Sequence, residues 1–179
     1  LIRSDDNDLI NEIILNRIVK EIINLNEAGK EILLVSSGAI ALGKKSLNLK
    51  KNNLKVSEKQ AASSVGQVLL INAWKKAFLK YKKQCGQILL THLDAEIRSS
   101  AINARNTIES LFKLNSIPII NENDSVATQE LRYGDNDQLA ARVAQITSSD
   151  LLIILSDVDG LYTTNPKKNS DAALIRYIC

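Results

Sequence analysis

The sequence predicts an α/β fold: a mostly parallel sheet with helices packed on its faces. Two observations predict it. Short apolar runs alternate with longer stretches of helical period, the order expected of strands joined by helical crossovers. Most of these runs also break off at small polar residues, as buried strands do when they feed a loop. The 179 residues, 45% of them hydrophobic, suffice for one domain with a sizeable core.

The elements follow in order. Ile10, Ile13, Ile14, Ile18, Ile22 and Leu25 form a helical stripe with polar residues between them, and Gly29 supplies a stop. Residues 31–35 read as a buried strand ending at Ser36-Ser37-Gly38. A short helix begins near Ala39 and ends at about Gly43 or a little later. Residues 47–55, polar and lysine-rich, read as a loop. Residues 57–83 are strongly helical, with Glu58 in the first turn and Gly66 as an interruption that serves close packing or a kink. Residues 87–91 are the second strand, and His92 is its polar end. Ser99 or Ser100 caps a helix reaching Leu114. Residues 117–120 are the third strand. Asp135 or Asn136 caps a helix over residues 137–146. Residues 151–155 are the fourth strand. No repeat, linker or low-complexity tract divides the chain, so residues 1–179 are expected to form a single domain.

Composition removes several function classes. The net charge of +3, from 23 basic and 20 acidic residues, is too mild to argue for nucleic acid, and with 4% aromatics stacking platforms are scarce. Lys75, Lys76, Lys80, Lys82 and Lys83 read as a solvated helix end with favourable dipole placement. Cys85 and Cys179 give neither a disulfide framework nor metal-ligand spacing. No apolar run approaches the roughly 20 residues of a membrane span, and nothing resembles a signal peptide. A cytoplasmic protein without a membrane partner is expected. The chain contains no methionine, and it starts at Leu1 and stops at Cys179 in what reads as mid-element. It is expected to be a piece of a longer protein.

Three junctions are rich in small polar groups: Ser36-Ser37-Gly38-Ala39; Asn121 to Asp124 together with Gly134 to Asp137; and Ser156-Asp157. In a parallel sheet such junctions share one edge, where ligands bind. Clustered carboxylates and amides are costly unless solvated or matched to a ligand. Gly38 to Lys44 fits G-x-x-x-x-G-K, but Lys45 stands where a P-loop has Ser or Thr, and Ala39 to Leu42 read as helix already under way. Free amides at Ser37, Gly38 and Ala39 instead suit a carboxylate or phosphate, or simply start a helix. The acidic loops lack calcium-loop spacing, and a single histidine builds no catalytic triad. What remains is electrostatic. Asn121, Asp124, Asp135 and Asn136 suit an ammonium group, and the Gly38 and Ala39 amides suit an anion. A pocket with both ends fits a zwitterion such as an amino acid, and spacing alone does not say which.

Several segments together carry a family resemblance. They are residues 35–43 (Val-Ser-Ser-Gly-Ala-Ile-Ala-Leu-Gly), Lys59-Gln60-Ala61 with Val65-Gly66-Gln67, Leu89-Leu90-Thr91, and Asn103-Ala104-Arg105-Asn106-Thr107. Residues 118–124 (Pro-Ile-Ile-Asn-Glu-Asn-Asp), Gly134-Asp135-Asn136-Asp137 and residues 157–163 (Asp-Val-Asp-Gly-Leu-Tyr-Thr) complete the set. In this order they resemble the amino acid kinase family, and within it the glutamate 5-kinases, across essentially the whole chain. The resemblance implies a three-layer α/β/α sandwich. It implies transfer of the ATP γ-phosphate to the side-chain carboxylate of L-glutamate, giving glutamyl 5-phosphate, the first step of proline biosynthesis. Mg2+, feedback inhibition by proline and a homo-oligomer are implied with it.

Residue by residue, the resemblance assigns glutamate contacts to Ser37, Gly38, Ala39, Asn121, Asp124, Asp135 and Asn136. It assigns Asp137 to orienting the catalytic lysines, and Ser156 and Asp157 to the nucleotide. Ser156 replaces the family's threonine and keeps the hydroxyl. The family's Lys-x-Gly motif would precede Leu1, and its glycine-rich stretch with a second phosphate-binding lysine would follow Cys179. Phosphoryl transfer relies on such charges. The 179-residue chain alone is therefore expected to be inactive and its parent to be a kinase. The alternative is a non-catalytic glutamate-binding or assembly remnant. Aspartate, acetylglutamate and uridylate kinases are disfavoured by the paired Asn-Glu-Asn-Asp and Gly-Asp-Asn-Asp segments.

Overall fold

Asn11 opens the first helix, α1 (Glu12–Glu27), by accepting a hydrogen bond from the Ile14 amide at 3.1 Å. The helix gives out before Gly29, whose φ of 81° turns the chain back. Its buried residues are Leu15, Val19, Ile22 and Ile23, whereas Ile13 is 83% exposed. That stripe is rotated from the expected one. α1 is apolar at so many positions that its period fits two faces, and packing selects one. The computed structural model that shows this describes residues 10–50, 53–126, 136–156, 158–166 and 169–177.

Three parallel strands form the sheet: β1 (Leu34–Val35), β2 (Gln84–Leu90) and β3 (Ser116–Glu122), in the order β1-β3-β2. Val35 and Ile88 both stand in register with Ile120 of the central strand. From Ile117 to Glu122 every residue of β3 is buried, as expected of a strand with neighbours on both edges and helices on both faces. Right-handed crossovers are the rule for such parallel connections. β1 leads into α2 (Ala39–Ser46) and α3 (Val56–Leu79) before β2. β2 leads into α4 (His92–Glu96) and α5 (Arg98–Lys113) before β3, and α6 (Asn136–Thr147) follows.

β3 divides the core into two. Ile117 and Ile119 pack with Leu15, Val19, Leu42, Leu70, Trp74 and Phe78 from the first three helices. Ile120 packs with Leu90, Ala95, Ala104, Ile108, Leu139 and Val143 on the side of α4, α5 and α6. The strand's two-residue period thus feeds helical layers on both faces, giving the α/β/α arrangement.

α3 runs unbroken through Gly66, so that glycine serves close packing and not a kink. A Cβ there would lie 1.7 Å from the Ala39 carbonyl oxygen, and one on Gly43 would lie 1.7 Å from that of Ala62. The two helices touch backbone to backbone at these points.

Four expectations need correction. His92 does not end a strand but opens α4. Thr91 caps that helix by accepting from the Asp94 amide at 3.1 Å, and Asp94 accepts from the Thr91 amide at 2.9 Å. α5 starts at Arg98 after Ile97, ahead of Ser99 and Ser100, because α4 runs almost directly into it. α3 stops at Leu79, not 83, since the following residues turn back, with Lys82 at positive φ. Residues 151–155 pair with no strand among the described residues and are exposed, Leu151 by 74% and Ile153 by 66%. A strand exists only through a neighbour, and among the described residues none stands beside this run. Among the described residues, no helix is long and apolar enough to cross a membrane.

Candidate functional site

The exits of β1 and β3 lie side by side at the carboxyl edge of the sheet. Ser36 leaves β1 with its amide donating to the Ile120 carbonyl at 2.8 Å. Its hydroxyl accepts from the Trp74 indole N–H at 3.0 Å. The Asn136 side chain, from the first turn of α6, ties the two exits together. Its Nδ2 donates to the Ser36 carbonyl at 2.5 Å and to Asn121 Oδ1 at 2.8 Å. Asn121 Oδ1 also accepts from the Glu122 amide at 2.9 Å.

α3 supplies the floor. Gln67 Oε1 accepts from Asn121 Nδ2 and from Gln87 Nε2, each at 3.1 Å, and Gln67 Nε2 donates to the Glu122 carbonyl at 3.1 Å. Ser63 donates to Asp124 Oδ2 at 3.1 Å. Ser36, Ser63, Gln67, Asn121, Glu122 and Asp124 are all buried. Buried polar groups persist where they satisfy one another, and this cluster does so largely through fixed amides. Burial pushes the Asp124 carboxyl above its ordinary value, and the Ser63 hydroxyl partly offsets that. His92 Nε2 approaches Glu122 Oε1 at 3.9 Å from beneath the same strand end.

Beside this cluster, α2 begins at Gly38, whose φ of 104° lies in the left-handed region; no side chain caps the helix. Ser37 and Gly38 are exposed and Ala39 is buried. Uncapped amides at the start of a helix suit an anion. The site therefore offers carboxylate and amide acceptors at one end and N–H donors at the other. A hollow of about 340 Å³ lined by Leu42, Lys44, Lys45, Leu49 and Lys50 lies at the opposite end of α2. Lysines there complement the helix carboxyl terminus and are not part of this cluster.

The structure thus brings Ser37, Gly38, Ala39, Asn121, Asp124 and Asn136 to one sheet edge, as expected of the first two junctions; the third, Ser156-Asp157, follows a run that is no strand among the described residues. Asp137 sits in the first turn of α6, exposed. Ser156 is exposed, and among the described residues its hydroxyl accepts only a long bond from the Val158 amide, 3.4 Å. Asp135 and Asp157 lie outside the described residues. Sequence chemistry assigned no role to Ser63, Gln67 or Trp74. The signal was available: residues 63, 67, 70 and 74 share one helical stripe, and two polar residues stand in its buried register.

Comparison with known proteins agrees with this architecture. The amino acid kinase family model matches residues 1–179. A glutamate 5-kinase from Pelagibacter ubique is 51% identical over 174 residues, covering 97% of this chain and 47% of that protein. One from Brucella ovis is 52% identical over 164 residues, covering 92% of this chain and 43% of that protein. The chain spans less than half the length of these curated relatives. Among solved structures, an isopentenyl phosphate kinase from T. acidophilum, in a product complex, aligns with a TM-score of 0.57 at 16% identity, covering 98% of this chain and 74% of that one. At that identity the likeness shows the fold alone. Sequence match, sheet topology and helical layers agree, and the chain belongs to the amino acid kinase family.

Proposed function

We propose that this chain carries the glutamate-binding side of a glutamate 5-kinase. The reaction would transfer the ATP γ-phosphate to the side-chain carboxylate of L-glutamate, as the first step of proline biosynthesis. The observation that carries this reading is the Asn136 amide, which binds the exits of β1 and β3 together. It sits at one edge with the buried Asp124 carboxylate and the uncapped start of α2. The names of the relatives, each at about half identity, support it.

Asp124, Asp135 and Asn136 receive the ammonium group of glutamate. The amides at Ser37, Gly38 and Ala39 receive a carboxylate. Asn121 shares the ammonium end of the pocket, although its oxygen and one N–H are already engaged within the protein. Asp137 orients catalytic lysines, and Ser156 with Asp157 meets the nucleotide. ATP is the phosphoryl donor. Magnesium commonly rides on nucleotide phosphates and keeps several waters. Among the described residues no group of three or more His, Cys, Asp or Glu is placed to hold a metal. No side chain is therefore assigned to Mg2+. Proline as inhibitor, a homo-oligomer and a cytoplasmic location belong to the same proposal.

The test is calorimetric and chemical. L-Glutamate is titrated into the intact protein and into the 179-residue chain, and ATP-dependent acyl phosphate is trapped as the hydroxamate. Glutamate binding with hydroxamate formed by the intact protein supports the proposal. Glutamate binding without any turnover by the intact protein supports a non-catalytic binding module instead. No glutamate binding by either sinks both.

A further inference from the structure

We propose that Gln67 is a positioning residue that, through Asn121, braces the Asn136 amide with its carbonyl end towards the ligand, and so sharpens the site's selection of a protonated amine. This deepens the glutamate reading and rests on it. Donors and acceptors run in a chain from Gln67 to Asn136. The Glu122 carbonyl can only accept, so the amide end of Gln67 must face it, at 3.1 Å. The Gln67 oxygen must then face Asn121, and it receives Asn121 Nδ2 at 3.1 Å. Asn121 is held the same way from its other end, because the Glu122 backbone N–H can only donate and it meets Oδ1 at 2.9 Å.

With Asn121 Oδ1 fixed, Asn136 must present Nδ2 to it, at 2.8 Å, and the second N–H of that nitrogen is taken by the Ser36 carbonyl. Both donors of Asn136 are spent inside the protein. What it offers a ligand is its carbonyl oxygen, an acceptor suited to ammonium and hostile to carboxylate. Gln67 is 7% exposed and stands on α3, beneath the exit of β3. It acts through Asn121 and Asn136, not by touching substrate. Gln87 donates to the same Gln67 oxygen from β2 at 3.1 Å and holds it from outside.

The experiment uses the intact protein with two probes, L-glutamate and glutarate. Glutarate has the same two carboxylates and lacks the amine. Gln67→Met keeps the volume and removes both ends of the relay, so Asn121 loses the partner of its Nδ2 and is held only by the Glu122 N–H and Asn136, and both amides are less firmly seated. The ratio of glutamate to glutarate affinity is expected to fall about tenfold, with the kinetic loss falling mainly on the KM for glutamate. Gln87→Met, at an exposed position of β2, weakens the relay from outside. It is expected to lower the same ratio about twofold, and it decides the matter if Gln67→Met does not fold. Variants that keep the wild-type ratio, or that weaken both ligands equally, overturn the role given to Gln67. A wild-type protein that binds no glutamate overturns the functional reading beneath it.

Discussion

Asp124 carries its charge at a cost. Burial raises its carboxyl pKa above the ordinary 3.8, and the Ser63 hydroxyl only partly counters the effect. In the folded chain the group therefore takes up its proton at a higher pH than in the unfolded chain. The ionised carboxylate opposes folding above the raised pKa, and that opposition is relieved as pH falls through it towards 3.8. A bound ammonium group reverses the balance by favouring the ionised form. Glutamate affinity should thus weaken as pH falls through the raised pKa, with proton release on binding. Calorimetry in two buffers of different ionisation enthalpy measures that release. Asp124→Asn should lower affinity at neutral pH by about tenfold or more, the scale of a lost charged hydrogen bond. It should also unfold at slightly higher denaturant than the wild type at pH 7, with the gain shrinking in acid. An unchanged affinity would remove Asp124 from the site.

Among the elements, the α2–α3 contact decides where the site lies. Two glycines let these helices approach until a carbonyl of one occupies the place of a Cβ on the other. The contact sets the start of α2, hence the donors at Gly38 and Ala39, against the floor formed by Ser63 and Gln67. Gly66→Ala drives a methyl to 1.7 Å from the Ala39 carbonyl oxygen. Because the obstacle is backbone, the helices must move apart. A loss of about 3 kcal/mol is expected, at the upper end for overpacking, read from the midpoint of urea unfolding. Glutamate binding should suffer in the fraction that remains folded, since α2 carries part of the pocket. The sequence marked Gly66 as close packing or a kink. Only the partner surface chooses between them, and periodicity does not contain that surface.

At the scale of the whole molecule, the apolar run at residues 151–155 is the feature least reconciled with water. Leu151, Ile153 and Leu155 are 74%, 66% and 56% exposed. A contiguous apolar run of this kind promotes association. Ile153→Lys should lower the self-association of the 179-residue chain, as followed by sedimentation velocity over a concentration series. The far-ultraviolet dichroism should not change, because the run pairs with no described strand. Association equal to the wild type would show that another surface is responsible.

The sequence by itself determined the alternation of elements, the parallel sheet, the burial of β3 and the gathering of polar junctions at one edge. Those follow from local period and from the rule that parallel strands all end on the same side. Ser37, Gly38, Ala39, Asn121, Asp124 and Asn136 were legible for that reason: each sits at a junction. Ser63, Gln67 and Trp74 left a weaker signal, a helical stripe with two polar residues in it, and what they bond to depends on the strand that packs on that stripe. The tertiary structure alone decided which stripe of α1 faces inward, that residues 151–155 find no strand partner among the described residues, and which way each amide points. Amide direction depends on donors and acceptors far apart in the chain: Asn136 bonds to Ser36, 100 residues away, and to Asn121. No local pattern encodes a hydrogen bond between residues so distant; only the folded backbone brings its two ends together.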